Sequence, residues 1–422
     1  MKKKFLTLGL AAAVAASLAA CGGSSSETTA AETTAAETAA AETEAAGEAA
    51  EETEAAEGEE AEAGAADGAV FKIGGIGPIT GDAAAYGIAV QRGAELAVKE
   101  INEAGGINGY QIEFQFQDDE NDPEKAVSAY NTLKDWGMQF LDGTTTSNPC
   151  IAVADKTMAD NMFQITPSGS AVECAANPNV FRVCFSDPDQ GSAAATYIGE
   201  HDLATKVAVI YDSSSVYSSG IYENFAKEAQ NQGIEIVSAE AFTADSNKDF
   251  STQLQKAKDG GAELVFLPIY YTEASLILQQ ADTMGYDPAF FGCDGMDGIL
   301  NVENFDTSLA EGLMLLTPFA ADATDDLTVN FVTSYEEAYG ETPIQFAADS
   351  YDAIYAIKLA VEDAGATPDM SVSDLCEAVK ASMVKITLDG LTGAGMTWTE
   401  DGEPHKAPKA VMVENGAYTA ME

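Results

Sequence analysis

The sequence predicts an α/β protein made of parallel, doubly wound sheets. Three observations lead there. From Val70 onward, short apolar runs alternate with stretches of helical periodicity as far as Gly292. Runs such as Lys206–Tyr211 (KVAVIY) and Glu263–Pro268 (ELVFLP) are apolar almost throughout, as strands buried on both faces are. The alternation is also too long for one sheet, so two similar lobes are expected, although no sequence repeat relates them.

Val70–Ile76 is the first strand and Gly77–Asp82 its turn. The helix Tyr86–Ala104 carries Ile88, Ala94, Leu96, Ala97 and Ile101 and closes at Gly105-Gly106. Ile112–Gln117 is a strand and Glu124–Trp136 a helix. Phe140–Asp142 ends a strand, Gly143–Asn148 is a turn of small hydroxyls, and Pro149 takes the first position of a helix capped by Asn148. That helix holds Ile151, Ala154 and Met158 on one face. Met162–Ile165 is a strand, and Thr166–Ser170 (TPSGS) is a second hydroxyl-rich turn opening another helix. Asn179–Phe185 is a strand, Asp187–Gly191 a turn and Ser192–Glu200 a helix. After the strand Lys206–Tyr211 come the loop Asp212–Gly220 and the helix Ile221–Gln232, ended by Gly233. Strands at Glu235–Ala239, Glu263–Pro268 and Ala289–Gly292 then alternate with helices at Ser251–Asp259 and Glu273–Met284.

The two hydroxyl-rich turns are where chemistry is expected. In a parallel α/β unit they fall at neighbouring strand ends, at one crevice. Each offers hydroxyl donors and the free amides of a helix start, backed by the positive end of a dipole. Together they make a cradle for a small anion, most simply a carboxylate. For any one residue the alternative stands that Ser and Thr only cap helices.

The first twenty residues have a basic start (Lys2, Lys3, Lys4) and a short apolar run, Phe5–Ala20, the pattern of a signal peptide. Leu18-Ala19-Ala20-Cys21 resembles a bacterial lipobox, which implies cleavage before Cys21 and a lipid anchor on its sulfur, outside the membrane. Residues 21–68 then form a tether: after Cys21 there are only Ala, Glu, Thr, Gly, Ser and one Asp, too little apolar area to offset the entropy of ordering.

The chain of 422 residues has 69 acids against 20 Lys plus Arg, a net charge of −49. This argues against nucleic acid and against electrostatic docking on anionic lipid. Only His201 and His405 are available as imidazoles, with no CxxC or HExxH spacing, so no metal and no cofactor are expected. Besides Cys21 there are Cys150, Cys174, Cys184, Cys293 and Cys376, an odd number, so at least one is free unless chains are cross-linked. One disulfide among Cys150, Cys174 and Cys184 is compatible with export, and the residues do not choose the pair.

Lys72–Tyr110 (KIGGIGPITGDAAAYGIAVQRGAELAVKEINEAGGINGY), the two turns, and Phe290–Gly298 (FFGCDGMDG) resemble the bacterial binding proteins for leucine, isoleucine and valine. These are type I solute-binding subunits of ABC transporters. The likeness runs from about Val70 to the C-terminus and is most specific over Gly81–Gly109. It implies the type I periplasmic binding protein fold: two Rossmann-like lobes joined by a three-crossing hinge, with no enzymatic activity. Residues 69–186 with 319–398 would form lobe 1, and 187–318 with 399–422 lobe 2. The crossings would fall near Cys184–Asp187, Thr317–Ala320 and Trp398. The resemblance further implies a free amino acid as ligand, an ABC permease as partner and a monomer. Its carboxylate contacts fall on Ser147, Ser168 and Ser170. Its ammonium partner falls on Asp294, where Glu is commoner. Tyr217 and Tyr270 stand where aromatics close over the ligand, and Tyr86, Thr145 and Phe346 where its side chain is met. Thr145 replaces a common apolar residue, which weakens the case for an aliphatic ligand.

Two other readings compete. Gly75-x-Gly77 after a strand is the sole support for a dinucleotide enzyme, and the pattern then runs Pro78–Gly81 without the expected glycine spacing. A sensor using the same lobes to drive a signalling partner would have an identical site, and the Gly81–Gly109 motif does not separate binders of amino acids from binders of amides or urea.

Overall fold

The computed structural model describes residues 68–406 and 408–421; the leader, Cys21 and most of the tether lie outside them. The chain runs β1 (Val70–Gly77), α1 (Ala84–Glu103), β2 (Gln111–Asp118), α2 (Pro123–Trp136), β3 (Phe140–Gly143), α3 (Ser147–Asp160), β4 (Phe163–Thr166) and β5 (Val180–Arg182). These strands form one all-parallel sheet in the order β2-β1-β3-β4-β5. It continues through α4 (Asp187–Glu200), β6 (Lys206–Asp212), α5 (Val216–Gln232), β7 (Glu235–Phe242), α6 (Ser251–Gly260), β8 (Leu264–Leu267), α7 (Tyr271–Thr283), β9 (Ala289–Gly292) and β10 (Met314–Thr317). Then come α8 (Asp326–Tyr339), α9 (Gln345–Ala364), α10 (Val372–Met383), β11 (Lys409–Glu414) and β12 (Ala417–Ala420).

The second sheet has the order β12-β11-β10-β9-β8-β6-β7. Its parallel part, β7-β6-β8-β9-β10, repeats the winding of the first sheet, so two doubly wound units of like topology share one chain. The last two strands, β11 and β12, at one end of the sheet, depart from the expected all-parallel pattern. β11 pairs antiparallel with β10 and with β12, turning at Asn415-Gly416, both at positive φ (54° and 76°). Asn-Gly is the strongest short hairpin signal, and it was legible in the sequence.

Local signals explain most helix starts. Asp122 caps α2, accepting from the Glu124 and Lys125 amides at 2.8 and 2.9 Å, with Pro123 in the first turn. Ser215 caps α5, so Tyr217 lies in its first turn and not in the loop expected from the serine-rich stretch. Ser186 caps α4 with Pro188 in the first turn, so Asp187–Gly191 is helix where a turn was expected. At the cradle two expectations fail. α3 begins at Ser147 behind Thr146, not at Pro149 behind Asn148; a first-turn amide needs no intrahelical partner, so proline fits anywhere there. The second turn opens only a short 3-10 turn, Val172–Ala175, and no α-helix.

Helices of the last third pack on the first sheet. α9 lies against α1 at the closest approach backbones allow: a methyl group on Gly93 would sit 2.0 Å from the Ala347 carbonyl oxygen. Ser350 of α9 donates to the buried Asp142 of β3 at 2.6 Å, and burial pushes that carboxyl up to about 8. The return toward the second sheet is pinned beside them: Lys406 Nζ donates to Thr392 Oγ1 at 3.0 Å and to Asp349 Oδ1 at 3.5 Å. Gly93→Ala should therefore destabilise the fold by about 1–3 kcal/mol through overpacking. Urea unfolding measures it, and a loss under 0.5 kcal/mol would mean the α1–α9 spacing is not set at Gly93.

Candidate functional site

The turns after β3 and β4 lie side by side, next to the end of β1, at the place where the strand order of the first sheet reverses. Ser147 Oγ accepts from the Ser170 and Ala171 amides, each at 3.2 Å. Ser168 Oγ donates to the Thr145 carbonyl at 2.5 Å, and Thr166 Oγ1 to the Thr144 carbonyl at 2.8 Å. Thr145 covers Gly77, where a methyl group would fall 2.0 Å from its hydroxyl. Thr145, Ser147, Ser168 and Ser170 are all buried.

Arg182, at the end of β5, organises the second turn in place of the helix that was expected. Its guanidinium, wholly buried, donates to the carbonyls of Gly169 (3.3 Å), Ser170 (2.6 Å), Ala171 (3.0 Å) and Val172 (3.4 Å). In a trans peptide the N–H opposes the C=O, so drawing these carbonyls to Arg182 turns the Ser170 and Ala171 amides toward Ser147. The Glu403 carboxylate lies 3.1 Å from Nε, an ion pair without hydrogen-bond alignment.

The facing wall comes from the second sheet. Asp294, buried just past β9, accepts on Oδ1 from the Tyr217 hydroxyl and the Gly295 amide, each at 2.7 Å, and on Oδ2 from Gln190 Nε2 at 3.0 Å. Burial pushes its carboxyl up to about 6, and the bonds from Tyr217, Gly295 and Gln190 oppose that rise. Gln345 of α9 donates to the Asp294 carbonyl at 2.7 Å. Gly295 has no room for a side chain: a methyl group would sit 2.7 Å from the Tyr217 oxygen.

Aromatic rings fill the space between the walls. Tyr86 of α1 donates to the Gly295 carbonyl at 2.5 Å and accepts from the Tyr271 amide at 3.3 Å, crossing from one sheet's side to the other. Its ring lies edge-on to Tyr270 and Tyr271, with centroids at 5.2 and 4.9 Å, and 4.3 Å from Phe346. Tyr270 in turn packs on Tyr217 at 5.2 Å.

The structure thus gathers the residues singled out above into two adjoining groups. Tyr86, Tyr217, Tyr270, Asp294 and Phe346 touch in one, and Thr145, Ser147, Ser168 and Ser170 in the other. Asn148 and Asp187 join them. Asn148 Oδ1 accepts from the Val216 amide at 3.4 Å, and the Asp187 amide donates to the Ser170 carbonyl at 2.9 Å. Cys21 lies outside the described residues. Sequence reasoning missed Arg182, Asp187, Gln190 and Tyr271. Arg182 had a signal, a lone charge inside the apolar run VFRVCF; the partners of Gln190 are fixed only by tertiary contact.

Among the described residues, three buried side-chain atoms of the cradle have no hydrogen-bond partner: Thr146 Oγ1, Ser170 Oγ and Asp187 Oδ1. Hydroxyls and a carboxylate oxygen left open in a dry cleft suit a ligand that brings its own donors. A cavity of about 420 Å³ adjoins the cleft, lined from both sides by Asp82, Glu120, Asn148, Tyr217, Tyr270 and Glu273 among others. Among the described residues no group of three His, Cys, Asp or Glu could hold a metal ion, and no helix is long and apolar enough to cross a membrane.

Two doubly wound units with a buried, polar cleft between their strand ends define a two-lobed α/β binding protein. Comparison with known proteins narrows this: residues 70–417 match the periplasmic binding protein family, and the chain belongs to it. It is a binding protein and not an enzyme. Leu/Ile/Val-binding protein homolog 3 of Brucella melitensis is 31% identical over 341 residues, covering 79% of this chain and 89% of that one. The leucine-, isoleucine-, valine-, threonine- and alanine-binding protein of Pseudomonas aeruginosa is 29% identical, covering 73% and 82%. Among solved structures, the branched-chain amino acid transporter substrate-binding protein LivJ of Streptococcus pneumoniae, in complex with isoleucine, superposes with a TM-score of 0.76 at 29% identity, covering 83% of this chain and 98% of that one.

Arg182→Met leaves four carbonyls without their donor, so it should lower stability by about 3 kcal/mol in urea unfolding. A loss under 1 kcal/mol would mean that the second turn is held by something else.

Proposed function

We propose that the protein is the extracytoplasmic solute-binding component of an ABC transporter, closing its two lobes on a free amino acid of the leucine, isoleucine and valine class. The observation that carries this reading is one geometry. A buried carboxylate, Asp294, stands on one wall, and a cradle of hydroxyls and amides at Ser147, Ser168 and Ser170 stands on the other. A zwitterion needs both. Its carboxylate takes donors from the cradle, and its ammonium takes Asp294. Tyr86, Thr145, Tyr217, Tyr270 and Phe346 would enclose the side chain. The names of the Brucella, Pseudomonas and Streptococcus relatives support the branched-chain class.

Each charge-assisted hydrogen bond contributes ~1.5–3 kcal/mol. Four or five, offset by closing and ordering, fit roughly −8 kcal/mol, micromolar binding. With the ligand's two ends on different walls, binding stabilises the closed form, which a permease can read. On this reading the lobes are 69–186 with 319–398 and 187–318 with 399–422, the chain acts as a monomer, and a lipid on Cys21 holds it at the membrane by the acidic tether.

Calorimetry against the twenty amino acids tests the ligand class; heat from other solutes only would retire the branched-chain assignment. Asp294→Asn should weaken binding about a hundredfold, since the ammonium then meets no charge. Unchanged affinity would sink the site assignment. The same titration should depend on pH. Because the Asp294 carboxyl sits near 6, it takes up a proton below that value and loses its attraction for the ammonium. Affinity should fall about tenfold from pH 7.5 to pH 5 in the native protein and stay flat in Asp294→Asn.

A further inference from the structure

Five cysteines lie in the described residues, all buried and all free thiols. Sequence spacing alone does not choose a pair among Cys150, Cys174 and Cys184, but the packing sets Cys150 and Cys174 apart. Cys293 belongs to the apolar core of the second sheet, and Cys376 to the large core that α9 and α10 share. Cys150 of α3 and Cys174 of the 3-10 turn make up, with Ala171, a small apolar cluster of their own. Both are wholly shielded from water.

The pair sits directly behind the cradle. Cys174 Sγ lies 3.6 Å from the Ser147 carbonyl, and Cys150 Sγ lies 3.5 Å from Gln164 Nε2. A methyl group on Gly169 would sit 3.1 Å from Cys150 Sγ, so the second turn passes right over this sulfur. The two thiols also act on each other. In the folded protein the neighbouring Cys174, with the Arg182 charge nearby, holds the Cys150 thiol below the ordinary cysteine range, whereas burial holds Cys174 above it.

We propose that Cys150 and Cys174 form a disulfide when the chain folds in an oxidising compartment, stapling the start of α3 to the segment after the second turn. The reaction is thiol–disulfide exchange with a disulfide-bearing oxidant. One of the two cysteine thiolates attacks the oxidant's disulfide and expels one thiol; the other cysteine thiolate then attacks the mixed disulfide and expels the second. The two cysteines lose two protons and two electrons, and the oxidant leaves as two thiols. The bond must close before burial is complete, because neither sulfur is reachable in the finished fold. Ser147 and Ser170 would then stand on two segments tied together covalently.

The sequence makes the test direct. Trypsin cuts after Lys134, Lys156 and Arg182, which places Cys150 and Cys174 on separate peptides, each with one cysteine, and leaves Cys184 on the next. The full chain, unfolded and reduced, is refolded in a buffer of reduced and oxidised glutathione, then alkylated and digested without reductant. The expected product is peptide 135–156 linked to peptide 157–182 and lighter by two hydrogens than their sum. Reductant should lower the melting temperature of the refolded protein by about 5 °C. In Cys174→Ala the same reductant should do nothing. Alkylation of both Cys150 and Cys174, or a link from either to Cys184, would overturn the proposal whether or not the variant folds. The link is read without any solute, so a negative result leaves the proposed ligand untouched.

Discussion

Asp294 is kept ionisable in a dry cleft by donors from three places in the chain: Gln190 on α4, Tyr217 on α5 and the amide of Gly295. A carboxylate taken out of water is costly unless its lone pairs are met. Meeting them brings α4 and α5 against the end of β9, and Gln345 adds α9 through the Asp294 carbonyl. Gly295 must be glycine for the Tyr217 oxygen to come this close. The second wall of the cleft is thus a shell built around one charge. The first wall has the reverse arrangement, one buried cation, Arg182, holding carbonyls on its side so that amides face the other. One wall offers negative charge and the other offers donors, and both depend on burial.

Much of this was legible in the sequence. The alternation of buried strands and amphipathic helices is a local pattern, and the two-sheet α/β architecture follows from it. Ser147, Ser170, Asp294 and the aromatic residues were reached through resemblance and not through periodicity. What failed, failed for physical reasons. Pro149 was read as the first helical residue, but the first turn needs no amide partners and tolerates proline anywhere within it. TPSGS was read as a helix start, yet its backbone is shaped by Arg182, a residue beyond the turn that acts through tertiary contact. The caps Ser215 and Ser186 were local signals that a serine-rich stretch and an Asp-Pro pair obscured.

The charge of the chain bears on the same site. Acids outnumber bases several-fold, and some of the excess is buried in pairs whose burden is shared: Asp349 beside Lys406, Asp142 beside Ser350. Others, Asp82, Glu120 and Glu273, line the cavity that adjoins the cleft. A zwitterion carries no net charge and is neither drawn in nor repelled by such a mouth, whereas a simple anion would be disfavoured there.

The bond from the Tyr86 hydroxyl to the Gly295 carbonyl spans the two sides with protein atoms alone. A net contribution of about 1 kcal/mol from such a bond shifts an open–closed equilibrium roughly fivefold toward closed, before any solute arrives. Less of the solute's binding energy is then consumed in bringing the walls together. The bond does not act alone: the Ala85 amide donates to the Tyr271 hydroxyl at 3.2 Å and Thr272 Oγ1 to the Asp82 carbonyl at 2.8 Å across the same gap. On the proposed function, retention outside the cell and handover at the membrane would therefore pull against each other through this whole set of contacts.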